Sequence, residues 1–408
     1  MRLLPVAVAV ALGAACAGGD DPAATSPPTS TTAPATPTAP SSAPPPATGP
    51  AVVEPACTEA PEALRTDVTP SGNRWFDGVV DLETAPVSIG LDGVAEWIVP
   101  LGDGGWHIAL EDGRSVEVDT AGALFEVDAV DGDGPPLAVL DAEGRPRVVG
   151  SATELAPFDD PLPDGRAVHS GPISAALVSP TDRYPHAVLG DDIEAAAVEV
   201  LDRCTGERTR IEVGPPDVIE GVSPLLADLD GDGIVELLVT TANDEVGARL
   251  EAYRLDGTLL ATSDAVGRGR RWRNQLGVAP LGPNGELEIV DVQTPHLGGI
   301  VRFSRLDGDE LVLEASIGEF TSHVIGSRNL DLGILADTTA DGRPEMLIYT
   351  QDRFRLVAIE RTDEGAEVVR SVELGARGVT NLAVQRVGDA AVLALGTADG
   401  RLLIWSPS

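Results

Sequence analysis

Lysine is absent from this 408-residue sequence, so every fixed positive charge on its side chains is carried by arginine. The 28 arginines face 65 aspartates and glutamates, which gives a formal net charge of −37. A surface this acidic repels nucleic-acid phosphates and anionic lipid headgroups. The composition therefore argues against nucleic acid or a membrane face as partners, and favours cations, neutral glycans or proteins.

Several catalytic signatures are missing as well. The sequence has no Gly-x-Ser-x-Gly elbow, no His-Glu-x-x-His metal motif, no Walker loop, no adjacent cysteine pair and no sialidase-type Asp-box. These absences remove many familiar hydrolase, metalloprotease and nucleotide-binding sites. Paired carboxylates of a glycosidase stay open, because with 65 acidic residues their spacing carries no information.

The first sixteen residues, MRLLPVAVAVALGAAC, have the composition of an export signal. One arginine is followed by about thirteen apolar residues, a run too short to cross a bilayer. The segment resembles a bacterial lipoprotein signal peptide in which Cys16 is lipidated, although that family usually has Leu where this chain has Gly13. Ordinary secretion with cleavage nearby is the alternative.

Residues 17–56 consist almost wholly of Ala, Pro, Thr, Ser and Gly. Such a segment has too little apolar surface to offset its ordering entropy, which predicts a disordered tether. The folded domain is then expected over residues 57–408. With Cys16 assigned to the lipid, Cys57 and Cys204 remain, and an exported compartment permits a disulfide between them. Two free buried thiols are the alternative.

Five segments of the folded part repeat one pattern, an apolar strand, a polar turn and a second apolar strand, at intervals of roughly 50 residues. They are residues 175–190, 224–239, 276–291, 332–349 and 382–396. Three longer hairpins follow such pairs, at residues 249–263, 299–316 and 355–372. Four strands in a unit of this length are typical of one blade of a β-propeller.

Two weaker copies, near residues 95–125 and 135–170, raise the expected number of blades to seven, with six to eight as the alternative. The last unit has only three strands, so a strand near residues 78–84 is expected to close the ring and hide its edges. The predicted fold class is an all-β, seven-bladed β-propeller that follows the disordered tether. A β-sandwich array or a solenoid remains the other possibility.

The segment LADLDGDGIVELLVT, residues 226–240, spaces acidic side chains around a glycine in a way that suits calcium. An EF-hand would place Glu at position twelve and continue as a helix, whereas this chain has Val239 there and a strand-like run. The loop instead resembles the calcium-binding FG-GAP or VCBS-type repeats of integrin α-subunit propellers and bacterial surface proteins. The family's Phe-Gly start is not found.

The resemblance implies a calcium site with side-chain oxygens from four residues and a backbone carbonyl from Ile234. The four are Asp228, Asp230, Asp232 and Glu236. A second loop has the same spacing, with Thr at the third position. Its candidate ligands are Asp337, Thr339, Asp341 and Glu345. The loop between them keeps only Asn284 and Glu288 and is expected to hold no metal. Calcium would stiffen the turns.

Polar residues just before two innermost strands repeat 55 positions apart, as Arg273-Asn274 and Arg328-Asn329. Arginine forks bind carboxylates and an indole face stacks on sugars or cations, so these residues suggest a ligand-binding face at the channel mouth. The candidate set is Arg271, Trp272, Arg273, Asn274, His296, His323, Arg328 and Asn329. Salt bridges between blades and histidine-capped turns are the alternative interpretation.

Together these features predict a monomeric, calcium-stabilised propeller, lipid-anchored on the outer face of the plasma membrane or else secreted. Its expected role is binding or scaffolding, with a protein or glycan of the cell envelope or the extracellular space as partner. The competing hypothesis is an extracytoplasmic hydrolase or lyase acting on carbohydrate, with the channel histidines as acid and base.

Overall fold

The computed structural model describes residues 71–101, 104–127, 139–140, 146–147, 158–388 and 390–407. The regular elements of these residues are all β-strands, joined by turns and loops, and no helix there is long and apolar enough to cross a membrane. The predicted signal segment, the tether, Cys16 and Cys57 lie outside the described residues. Cys204 is disulfide-bonded.

Six four-stranded units and one short hairpin make up the described fold. Two strands come first, β1 (Trp75–Val79) and β2 (Val87–Gly90). Unit I comprises β3 (Ala95–Pro100), β4 (Trp106–Leu110), β5 (Ser115–Val118) and β6 (Leu124–Val127). The hairpin is β7 (Val139–Leu140) and β8 (Pro146–Arg147). Unit II comprises β9 (Val168–Ser170), β10 (Ile173–Thr181), β11 (Glu194–Asp202) and β12 (Arg208–Glu212).

The remaining units follow the same order. Unit III comprises β13 (Val218–Ala227), β14 (Glu236–Ala242), β15 (Arg249–Tyr253) and β16 (Leu259–Ser263). Unit IV comprises β17 (Arg273–Ala279), β18 (Glu288–Gln293), β19 (Ile300–Asp307) and β20 (Glu310–Gly318). The short β21 (Phe320–Thr321) precedes unit V, which comprises β22 (Gly333–Asp337), β23 (Glu345–Thr350), β24 (Arg355–Thr362) and β25 (Gly365–Glu373). Unit VI comprises β26 (Ala383–Val387), β27 (Ala390–Thr397) and β28 (Arg401–Trp405), completed by β2.

Each unit is an antiparallel sheet, and the first strands of units II to V contact one another in succession, as do those of units VI and I. Second strands such as β14 and β23 are buried along their whole length, whereas the outermost β25 is largely exposed. A strand buried on both faces reads as an apolar run because another sheet covers each side. The all-β propeller prediction is confirmed, while the count of seven blades stays a prediction.

Ring closure differs from the sequence-based prediction. The closing strand is β2, antiparallel to β28 with Val87 opposite Ile404 and Gly90 opposite Arg401. The predicted closing segment, residues 78–84, instead places Val80 and Leu82 in the core between units V and VI. Its first residues pair with unit V, where Val79 lies opposite Asp337 of the parallel β22. The segment therefore joins units V and VI without closing the ring, and this explains the wrong prediction.

One predicted strand is also wrong. Residues 185–190 form a loop, and the partner of β10 is β11, which starts at Glu194. Ala187 in this loop has a positive φ of 49°, which is incompatible with a strand. The other four repeated segments contain the strand pairs predicted for them.

Candidate functional site

The first candidate calcium loop joins β13 to β14. Its backbone is wrapped around Asp228, whose two carboxylate oxygens accept the N–H groups of Gly231 (2.7 Å) and Gly233 (2.8 Å). Glu236 starts the next strand and accepts the N–H of Leu229 at 2.8 Å. Carboxylate oxygens of Asp228, Asp230 and Glu236 all lie within 4.8 Å of one another. The loop thus gathers three acidic groups around one point.

The second candidate loop, between β22 and β23, has the same hydrogen bonds at equivalent positions. Asp337 accepts the N–H groups of Ala340 (2.6 Å) and Gly342 (2.8 Å), and Glu345 accepts the N–H of Thr338 (2.6 Å). Oxygens of Asp337, Asp341 and Glu345 lie within 4.8 Å of one another. The hydroxyl of Thr339, a predicted ligand, donates to Glu345 at 3.2 Å.

The donor set fits a hard cation. Glu236 is 1% exposed and Glu345 is fully buried, so each loop holds a desolvated carboxyl beside two further acids. Burial, together with Asp230, Asp232 and Asp228, raises the pKa of Glu236. A bound cation would relieve this repulsion, and calcium prefers such oxygen ligands. Ile234 and Asp232 are the remaining predicted ligands, and here the N–H of Ile234 donates to Asp232 at 2.7 Å.

The third loop, between β17 and β18, holds its buried glutamate against an arginine. Glu288 occupies the position of Glu236 and Glu345 and is 2% exposed. Arg361, from β24 of the neighbouring unit V, donates to both of its oxygens, at 2.8 and 3.0 Å. Pro280 stands where the other loops have Asp. A guanidinium fork therefore balances the buried carboxylate.

The residues predicted to form a ligand-binding face are largely internal. Arg273 is fully buried and pairs with Asp291 through two hydrogen bonds of 2.7 and 2.8 Å. Asn274 donates to Leu330 O (2.9 Å) in the next unit, and Asn329 donates to Glu96 O (3.2 Å) of β3. Arg273 thus joins β17 to β18, while Asn274 and Asn329 tie the segment before β22 to β17 and β3. The structure thus removes Arg273, Asn274 and Asn329 from the predicted face.

The channel mouth is bridged by ion pairs between units II and V, which are not neighbours along the chain. Arg328 is about one-third exposed and contacts Asp164 (3.0 Å) and Asp191 (2.9 Å). Close by in sequence, Arg166 contacts Asp331 at 2.7 Å. Burial would raise the pKa of Asp331, but Arg166 and Arg74 together lower it. These pairs join residues next to the inner strands of units II and V, and they occupy the guanidinium of Arg328, which was predicted to bind a ligand.

Trp272, His296 and His323 form a compact aromatic cluster at this end of the ring. Trp272 is 2% exposed and lies against both imidazoles, with ring centroids 6.4 Å from His296 and 5.1 Å from His323. The two histidine Nδ1 atoms are 3.4 Å apart. The predicted stacking face of Trp272 is therefore covered by the protein itself. Neither histidine has a carboxylate hydrogen-bond partner among the described residues.

An exposed rim surrounds this cluster. Arg271 is exposed, and within the part of the chain that the structure describes its guanidinium has no ion pair or hydrogen bond. Leu297 is 73% exposed and Ile325 is 62% exposed, each one or two residues from a clustered histidine. We call Arg271, His296, Leu297 and Ile325 the rim patch. Of the predicted ligand residues, Arg271 and His296 lie in it and Arg328 is partly exposed nearby.

Sequence reasoning missed a buried acidic group between units II and III. Glu194 and Glu220 are at most 5% exposed, and an oxygen of each has no hydrogen-bond partner among the described residues. Burial raises the pKa of both carboxyls. His186 pairs with Glu220, and the buried hydroxyl of Tyr184 is also unpartnered in the described structure. In the sequence, the one sign of this buried group is a glutamate next to a run of apolar residues.

The segment before β1 was also missed, and it lies against the first strands of three units. Leu226 N–H donates to Ser71 O, Arg74 N–H to Leu276 O, and Leu335 N–H to Arg74 O. The Arg74 guanidinium donates to the carbonyls of Gly333 (3.2 Å) and Leu382 (2.6 Å). The segment before β1 thus packs along the inner strands of these units.

No protein-family model matches the chain, and no curated protein matches it. Among solved structures, BBS1N in complex with ARL6DN is 15% identical, with a TM-score of 0.45, and the match covers 82% of this chain and 97% of that one. A quinohemoprotein alcohol dehydrogenase from Comamonas testosteroni is 11% identical, with a TM-score of 0.47, and the match covers 86% and 83%.

The WD40 beta propeller domain of Doa1 is 11% identical, with a TM-score of 0.43, and the match covers 82% of this chain and 98% of that domain. These identities and TM-scores are too low to transfer a function to this chain. The propeller assignment rests on the strand pairing described above.

Proposed function

We propose that this chain is an extracytoplasmic, lipid-anchored β-propeller, stabilised by calcium of the FG-GAP or VCBS type, that binds a protein of the cell envelope. The rim patch is the observation that carries the proposal. It combines an exposed arginine, which has no partner among the described residues, with two exposed aliphatic side chains, Leu297 and Ile325. Exposed apolar residues beside a charge are typical of interaction surfaces.

A protein partner fits better than a glycan. Sugar recognition commonly uses an exposed aromatic face, and Trp272, which was expected to supply it, is buried under His296. Leu297 and Ile325 could pack against an apolar side chain of the partner, and Arg271 could pair with one of its carboxylates. The partner surface is therefore expected to be acidic at its edge and apolar at its centre.

Calcium has a supporting part in this proposal. Asp228, Asp230 and Glu236 would hold one ion, and Asp337, Asp341 and Glu345 a second. Each ion would neutralise the carboxylates and fix the turn between two strands. At a concentration one hundred times its dissociation constant, one bound ion would stabilise the fold by about 2.7 kcal/mol.

The binding test compares retention of the purified protein on the envelope fraction of its own host. Wild type is expected to be retained, and the Arg271→Ala/Leu297→Ser double variant is expected to lose that retention because both contacts are removed. Arg305→Ala is the matched control, since Arg305 is an exposed arginine paired only with Glu314. Equal retention of the wild type and the rim variant would refute the proposed face.

The calcium test counts the calcium ions bound per chain. Wild type is expected to bind two calcium ions, whereas Asp230→Asn and Asp341→Asn should each bind one. Asn keeps the backbone hydrogen bond that Asp230 accepts from Asp232, so the variant removes charge alone. Asp256→Asn, in a turn outside both loops, is the control. Unchanged stoichiometry in both variants would contradict the assigned ligands.

A further inference from the structure

His296 and His323 face each other in an arrangement that an ordinary hydrogen bond explains poorly. Their Nδ1 atoms are 3.4 Å apart, beyond the usual 2.7–3.2 Å of a hydrogen bond from nitrogen. The ring centroids are 5.4 Å apart, which is 2.0 Å more than the nitrogens, so both Nδ1 atoms point into one shared gap. The two histidines come from different units, IV and V.

The tautomer of His323 is set by its other nitrogen. Nε2 lies 2.6 Å from the carbonyl oxygen of Ser327, and a carbonyl can only accept, so Nε2 carries the proton and donates it. Nδ1 of His323 therefore presents a lone pair to the gap. A ring N–H donated to a backbone carbonyl is the usual outer support of a metal-binding histidine.

The separation of the two nitrogens suits a metal ion. Two imidazole nitrogens bound at 2.0–2.1 Å to a tetrahedral ion lie about 3.4 Å apart. His323 is buried, and burial lowers its pKa to about 4. Burial also lowers the pKa of His296, with His186 as a second cause. Both imidazoles are thus neutral near pH 7, which is the form that binds metal.

We infer that His296 and His323 form a two-histidine site for a divalent transition-metal ion of the imidazole-preferring class, such as Zn²⁺, Ni²⁺ or Cu²⁺. This site is separate from the acidic calcium loops, which offer only oxygen ligands. Trp272 packs against both rings and holds them in place. His296 is partly exposed next to Leu297, so an ion can enter from solvent.

The ion would keep open coordination positions. Among the described residues, the only groups of three His, Cys, Asp or Glu donors within 4.8 Å are the two acidic loops, so the histidine pair has no third ligand of these types at that distance. Water, or a carboxylate or imidazole from a binding partner, would complete the coordination. One of the two ligands, His296, belongs to the rim patch, where such a partner group would arrive.

The test titrates the full chain with Zn²⁺ in excess calcium, so that the acidic loops are filled, and records Cu²⁺ paramagnetic resonance spectra in parallel. Wild type should bind one Zn²⁺ and give a Cu²⁺ spectrum with two nitrogen ligands. His296→Gln should bind Zn²⁺ about tenfold more weakly or worse, and should lose one nitrogen ligand from the Cu²⁺ spectrum. His296 is only partly buried, so this variant is chosen over one at His323 to preserve the fold.

His107→Gln is the matched control, because His107 lies in unit I and faces Glu117 at 3.6 Å. It should leave the affinity and the Cu²⁺ spectrum unchanged. Equal Zn²⁺ affinity in wild type and His296→Gln would overturn the inference, as would the absence of nitrogen ligands in the wild-type spectrum. Envelope retention by the rim patch is measured separately, so failure of the metal site leaves that proposal intact.

Discussion

At the scale of single residues, His169 makes folding sensitive to acid. It lies in β9 and is 2% exposed, with Nδ1 2.7 Å from Ser174 Oγ and Nε2 unpartnered among the described residues. Burial, and secondly Arg203, lower its pKa from 6.5 to about 3. Because the unfolded chain binds a proton more readily, the stability supplied by neutral His169 is complete above pH 6.5 and is lost as the pH falls towards 3.

The expected result is a difference between wild type and His169→Gln. From about pH 7 to pH 5, wild type should lose about 2 kcal/mol more of its free energy of unfolding than the variant, whose side chain does not titrate there. Urea unfolding at a series of pH values measures both. If the free energy of unfolding fell equally with pH in both proteins, His169 would not be the group that causes the loss of stability in acid.

Ala340 stores backbone strain in the second candidate calcium loop. It has a φ of 60°, whereas Gly231 at the equivalent position of the first loop has a φ of 78°. Ala340→Gly is therefore expected to stabilise the protein by about 1 kcal/mol, and Gly231→Ala to destabilise it by a similar amount. A Cβ at Gly231 meets no atom within 4 Å, so the effect is conformational. Thermal unfolding of both variants in the presence of a calcium chelator tests whether the two changes in stability have opposite signs.

At the scale of strands and loops, Arg361 balances the charge of the buried Glu288, the position that a cation is proposed to balance in the two acidic loops. Arg361→Met should lower the free energy of unfolding by about 3–5 kcal/mol because Glu288 is left buried and unpaired. The double variant Arg361→Met/Glu288→Leu should regain most of that loss. Urea unfolding of the three proteins measures the difference. Calcium should not rescue Arg361→Met, since Pro280 stands where an Asp ligand is required.

The strand-and-turn repeats were predictable because their signals are local. Alternating apolar runs and Asp-Gly turns define β13–β14 and β22–β23 without knowledge of the rest of the chain. The role of Arg273 was not predictable in this way. A polar residue before an inner strand can face solvent or a neighbouring strand, and only the fold shows that Arg273 meets Asp291. The closing strand was misplaced for the same reason.

At the scale of the whole molecule, the segment before β1 ties several units together. Arg74 is 4% exposed, and its guanidinium donates to the carbonyls of Gly333, Asp331 and Leu382, which belong to units V and VI or directly precede them. Its backbone pairs with Leu276 of unit IV. One side chain therefore satisfies carbonyl groups contributed by separate sheets, and a buried carbonyl that loses its donor is costly.

Arg74→Met is expected to lower the free energy of unfolding by about 3 kcal/mol, because several buried carbonyl oxygens lose their donor together. Arg305→Met is the matched control: its exposed pair with Glu314 should contribute no more than about 0.5 kcal/mol. Urea unfolding monitored by tryptophan fluorescence measures both variants. If Arg74→Met unfolded at the same urea concentration as Arg305→Met, the segment before β1 would contribute nothing measurable to the stability of the ring through Arg74. A clear loss of stability would mean that the ring depends on the segment before β1, residues 71–74, to hold the inner strands together.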